Sequence, residues 1–178
     1  MSRIVIFLDY ANIDRSASDR GVPINYKTLI DYLTETRFLV EAHCYFPIDP
    51  RSPHARDREM EDLWLSGFYV HTKIGSMAGD TFKCNFDVEM TIDMMRVAQQ
   101  TKPDIIVIAS GDSDFVPVIL ELRRQGVRVE VAAYRENASR EVILKSSGFI
   151  DLSQLGANAN EGVEGADMGH VPEPGPGA

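Results

Sequence analysis

The chain has only two cysteines, Cys44 and Cys84, in 178 residues, and they stand at no metal-ligand or redox spacing. That argues against a disulfide framework and fits a reducing, cytoplasmic setting, with Cys44 a buried thiol in a strand-like run. Histidine is equally scarce. His43, His54, His71 and His170 share no motif, which argues against a zinc site or a histidine-based mechanism. No apolar run approaches the roughly 20 residues of a membrane helix, and no signal-peptide pattern opens the chain, so no membrane partner is expected. Positive charge is in deficit as well. A formal net charge of −9 argues against an indiscriminate nucleic-acid binder, which would be basic.

The deficit is uneven. Residues 156–178 hold Glu161, Glu164, Asp167 and Glu173 with no Lys or Arg, so they carry −4 and leave −5 on residues 1–155. They also contain no aromatic residue and are rich in Gly, Ala, Asn and Pro. Such a segment buries too little apolar area to offset its chain entropy and is expected to be a disordered, solubilising acidic tail. Residues 1–155 are the length of one ordinary domain with a substantial core.

Within that domain, β-branched apolar runs alternate with helical periodicity. Strands are expected at 3–8, 40–46, 68–73, 105–109 and 128–133, with Phe149–Leu152 a closing edge strand or turn. Helices are expected at about 26–36, capped by Asn25, and at 53–65, with Met60, Leu63 and Trp64 on its apolar side. Further helices are expected at 87–101, 115–124 and 139–147. The stretch after residue 8 reads as a polar loop, and 76–83 as a glycine-containing loop. Strands alternating with helices imply an α/β fold, a mostly parallel sheet with helices on both faces.

Carboxylates concentrate where such folds work. Ile105–Ala109 is followed by Ser110-Gly111-Asp112-Ser113-Asp114-Phe115, and Ile4–Leu8 is followed by Asp9-Tyr10-Ala11-Asn12. Ligands of open parallel sheets bind beyond the carboxyl ends of strands, which places Asp9, Asp112 and Asp114 on one rim if the two strands are neighbours. Asp87, at the start of a helix, supplies a fourth carboxylate; Asp93 lies well round that helix from it. Crowded acids raise one another's pKa unless a cation sits between them, and a hard divalent ion is the natural candidate. Taken alone, the Asp112/Asp114 turn reads as an ordinary Asx-turn and helix cap; the other two strand and helix ends shift that balance. Tyr10 and Tyr134 are placed for stacking or for packing. Met90, Met94 and Met95 read as core.

The segments FLDYAN, NFDVEMTIDM, IASGDSDFVPVILELRRQGVRVEV and LKSSGFIDL, in that order, resemble the NYN domain family of PIN-like nucleases, particularly its LabA-like branch. The resemblance runs from about Arg3 to Leu152. It implies a PIN-like three-layer sandwich and a Mg²⁺- or Mn²⁺-dependent ribonuclease. Asp9, Asp87, Asp112 and Asp114 would be the catalytic and metal-binding acids, with Asn12, Tyr10, Lys83 and Arg135 contacting substrate. In one respect the chain departs from the pattern: relatives commonly show Lys-Gly before the hydrophobic-Asp-hydrophobic step, whereas here Lys83-Cys84-Asn85 precedes Phe86-Asp87. RNA is the expected partner on the strength of the resemblance, and a homodimer is compatible with the sequence. Two other readings stand beside this one. A non-catalytic nucleic-acid-binding or regulatory module would keep the same acids. A haloacid-dehalogenase-like phosphatase would need an Asp where Ala11 stands.

Overall fold

The computed structural model describes residues 1–155; the acidic segment 156–178 lies outside the described residues. The main sheet is built from β1 (Arg3–Asp9), β2 (Phe38–Ile48), β3 (Tyr69–Ile74), β6 (Ile105–Ala109), β7 (Arg128–Ala133) and β8 (Gly148–Asp151). All its pairings are parallel, in the order β3-β2-β1-β6-β7-β8. β4 (Ser76–Ala78) and β5 (Thr81–Lys83) form a separate antiparallel hairpin.

The strands are so apolar because both faces are covered. Along β1, Ile4, Ile6 and Leu8 enter one core, while Val5 and Phe7 enter the other. The first core is closed by α1 (Tyr10–Asp19), α2 (Tyr26–Thr34) and α3 (Asp57–Ser66), through Ile13, Leu29, Leu33 and Leu63. The second is closed by α4 (Asp87–Gln100), α5 (Val116–Arg124) and α6 (Arg140–Lys145), through Met90, Met94, Ile119, Leu122 and Val142. The α/β class, parallel sheet and two helical layers are as the alternating pattern implies. Strand order reverses between β1 and β6, and the helices change face there. The crevice at such a reversal is where open α/β sheets bind ligands.

Three local expectations are corrected. Residues 10–19 form α1, because Asp9 caps the helix and Tyr10, Ile13 and Ala17 share a buried face. Residues 76–83 form a hairpin about Gly79, whose φ of 63° suits the tight turn. α3 starts at Asp57, not Pro53, and Trp64 stands 53% exposed on its outer side instead of in the core.

Candidate active site

β1 and β6 are adjacent, so their carboxyl ends open on the same rim. Asp9 ends β1 and caps α1, Oδ1 accepting from the Asn12 N–H at 3.3 Å. Its Oδ2 accepts from the Ser110 hydroxyl at 3.0 Å, and Ser110 Oγ accepts from the Asp112 N–H at 3.2 Å. Asn12 Oδ1 accepts from the Gly111 N–H at 3.0 Å. The loop after β6 is therefore fastened to the start of α1 at two points. Gly111 is required by close approach: a Cβ there would lie 2.8 Å from Ala138 Cα and 2.9 Å from Asn137 O.

Asp112 caps the one-turn 3-10 helix Ser113–Phe115, its Oδ1 accepting from the Asp114 N–H at 3.0 Å. Phe115 is fully buried and anchors that turn, while Asp114 faces solvent. Asp87 opens α4, where its N–H donates to Asn85 Oδ1 at 2.7 Å and its Oδ2 accepts from the Asn85 amide at 2.5 Å. The capping role weighed for the Asp112/Asp114 turn is thus real for Asp112, whose second oxygen stays open; Asp9 caps α1 as well, with its second oxygen on the Ser110 hydroxyl.

Asp9 and Asp87 sense the other acids of the rim. Burial pushes Asp9 up to about 6; the Ser110 and Asn12 hydrogen bonds oppose that, and the charges of Asp87 and Asp112 add to it. Burial likewise raises Asp87, the Asn85 bond opposing, with Asp112 and Asp114 pushing the same way. Among the described residues the ion pairs go to other carboxylates, such as Glu89, Asp93 and Asp151, and none to these four. This uncompensated set of hard oxygens has the right chemistry for Mg²⁺ or Mn²⁺. Its spacing does not make a closed cage: no group of three or more His, Cys, Asp or Glu among the described residues stands ready to hold a metal ion.

The remaining candidates separate. Lys83, exposed at the end of β5, lines a groove of about 610 Å³ that also includes Ala11, Arg15, Lys73 and Asn85. Tyr10 is a correction. It is 1% exposed, its ring packs 4.4 Å from that of Phe46, and its hydroxyl bonds Glu59, so it offers no face to a base. Tyr134 is 3% exposed beneath Arg20. Arg135 lies 3.3 Å from Asp151 and over the Phe149 ring at 4.7 Å, engaged at the end of β8. Asp93 accepts from the Tyr45 hydroxyl at 2.8 Å and plays a separate, structural part. Sequence reasoning overlooked Ser110 and Gly111, although two small residues directly after a buried strand were the available signal.

The NYN domain family model matches residues 3–153. Low amplitude and bright protein LabA of Synechococcus elongatus is 25% identical over 161 residues, covering 86% of each chain. The crystal structure of a Vibrio parahaemolyticus protein of unknown function has the same fold, with a TM-score of 0.72 at 23% identity over 85% of this chain and 93% of that one. With nearly all of the described residues inside the family match, the chain belongs to the NYN domain family.

Proposed function

We propose that the protein is a metal-dependent ribonuclease that hydrolyses RNA phosphodiester bonds at the Asp9–Asp112 rim. The observation that carries this reading is the meeting of Asp9, Asp112 and Asp87 in one electrostatic cluster at the sheet's reversal point, with no cationic side chain among the described residues in an ion pair with them. Asp9, Asp87, Asp112 and Asp114 would hold Mg²⁺ or Mn²⁺, partly through water, and a bound ion would supply an activated water and stabilise charge on the leaving oxygen. Ser110 holds Asp9 and the Asp112 backbone in one register. With its carbonyl oxygen committed to Gly111, Asn12 has its amide N–H₂ left to orient a phosphate oxygen or water.

A second reading, a non-catalytic nucleic-acid-binding module, is favoured by the open spacing of the acids. The phosphatase alternative gives way to family membership. Cleavage of mixed single-stranded and structured RNA in Mn²⁺, with EDTA and Asp112→Asn controls, separates the first two readings. The ribonuclease reading expects cleavage abolished by both controls. Intact RNA in Mn²⁺, bound without being cut, would leave the binding module.

A further inference from the structure

Four clustered carboxylates on a chain of net charge −9 repel a phosphate backbone, so any nucleic acid reaching them needs cations beside the rim. The groove between α1 and the β4–β5 hairpin supplies them. It borders the acids on both sides: Ala11 lies between Asp9 and Asn12, and Asn85 bonds Asp87. Arg15 and Lys83 line it, both exposed and both without a carboxylate partner among the described residues. Lys73, also on the groove, is held by Glu89 at 2.5 Å and by the Asn85 carbonyl at 2.9 Å, which leaves the other two as the free cations.

The hairpin is fixed as one wall of that groove. Gly75 lies so close beneath it that a Cβ would sit 2.3 Å from the Phe82 ring and 2.6 Å from the Lys83 carbonyl oxygen. The Gly75 N–H also donates to the Ile48 carbonyl at 3.0 Å, tying the hairpin's root to the end of β2. Lys83 is thereby carried by a short, anchored strand, and Arg15 projects from the helix that Asp9 caps.

We propose that this groove is a phosphate rail for single-stranded nucleic acid: Arg15 and Lys83 each contact a backbone phosphate and lead the strand to the acidic rim. The inference rests on the ribonuclease reading for its substrate class, but it concerns binding, which is measured separately from cleavage. Each neutralised phosphate of a single strand contributes about −0.7 to the slope of log K against log salt.

The test is fluorescence anisotropy of a labelled mixed-sequence RNA oligonucleotide across a salt series in EDTA, alongside cleavage in Mn²⁺. Arg15→Ala and Lys83→Ala should each weaken binding several-fold and each flatten the slope by about 0.7, with Lys83→Arg restoring it. Lys145→Ala, at the opposite, amino-terminal end of the sheet just before β8, should change neither. Wild-type cleavage with unchanged affinity and slope in both alanine variants would overturn the rail and leave the nuclease standing. Salt-dependent loss in the variants without wild-type cleavage would keep the rail and overturn the nuclease. A wild type that neither binds nor cleaves RNA would sink both.

Discussion

Ser110 Oγ donates to Asp9 Oδ2 at 3.0 Å across 101 residues of sequence, and the same oxygen accepts from the Asp112 N–H at 3.2 Å. One buried hydroxyl therefore sets the separation of the two strand-end acids. Ser110→Ala removes both contacts and leaves the Asp112 N–H and one Asp9 oxygen without a partner. The expected cost is about 1–3 kcal/mol in denaturant unfolding, together with loss of most of the proposed cleavage activity. Ser110→Thr, which keeps the hydroxyl, should recover part of the activity. Equal damage from both variants would mean that volume at this fully buried position matters more than the bond.

Gly111 gives a steric counterpart. A Cβ would meet the Ala138 and Asn137 backbone, which has no flexible end to move aside. Gly111→Ala should therefore displace the Asp112 loop from Asn12, destabilise the fold by about 1–3 kcal/mol and reduce cleavage more than affinity for RNA. The check is a comparison of kcat, oligonucleotide affinity and Tm. A variant with wild-type kcat and wild-type Tm would show that the loop tolerates the shift.

Much of this could be read from the chain. Buried strands announce themselves as β-branched runs, and the placement of Asp9 and Asp112 on one rim follows from where β1 and β6 end. The misread segments have two causes, a local signal with two meanings at Asp9 and a signal too short to see at the hairpin. Asp9 looked like a ligand and is also a helix cap, so α1 was hidden behind it. Once that helix is present, Tyr10 becomes its first residue and turns into the α1–α3 core, where Glu59 and Arg56 take its hydroxyl. The hairpin has strands of three residues, too short for periodicity, and only the Gly79-Asp80 turn marks it. Neither the tie between Ser110 and Asp9 nor the close contact of Gly111 with Ala138 has a local signature, because both depend on chain segments brought together by the sheet.

The acidic cluster should make stability depend on pH in the unusual direction for a carboxylate. Asp9 is pushed up to about 6 from an ordinary 3.8, mainly by burial, so the folded state holds its proton more tightly than the unfolded one. Its contribution is fully present below about pH 3.8 and is lost as the pH rises through about 6. A shift of that size corresponds to an upper limit of about 3 kcal/mol, reduced in practice by solvent at the rim. Asp9→Asn removes the charge and keeps one of the two acceptor oxygens, so either the Ser110 hydroxyl or the Asn12 N–H retains its partner, a loss that is the same at every pH. Unfolding in EDTA should therefore find the variant more stable than wild type at pH 7.5, with the gap closing towards pH 4. A gap that does not change with pH would mean that the charge on Asp9 is not what costs stability.

Metal binding gives the last expectation, and it separates a cation site from a set of helix caps. In chelator, Asp112 and Asp87 repel each other and Asp9, and the nearby cation Lys73 is paired to Glu89 and not to any of them. An ion that binds only the folded chain stabilises it by mass action, about 2.7 kcal/mol at a concentration a hundredfold above Kd. For a domain of this size that amounts to a rise in Tm of several degrees. Mn²⁺ at millimolar concentration should thus raise the Tm of the wild type measurably. Asp112→Asn should melt higher than wild type in EDTA, because one repelling charge is gone, yet gain little from Mn²⁺. If Asp112 is only a cap, the amide serves the Asp114 N–H about as well as the carboxylate does, so the variant melts at or below wild type. Mn²⁺ would then move neither protein. Thermal melts of the two proteins, with and without Mn²⁺, discriminate these outcomes without any cleavage assay, so they hold whether or not the site turns over RNA.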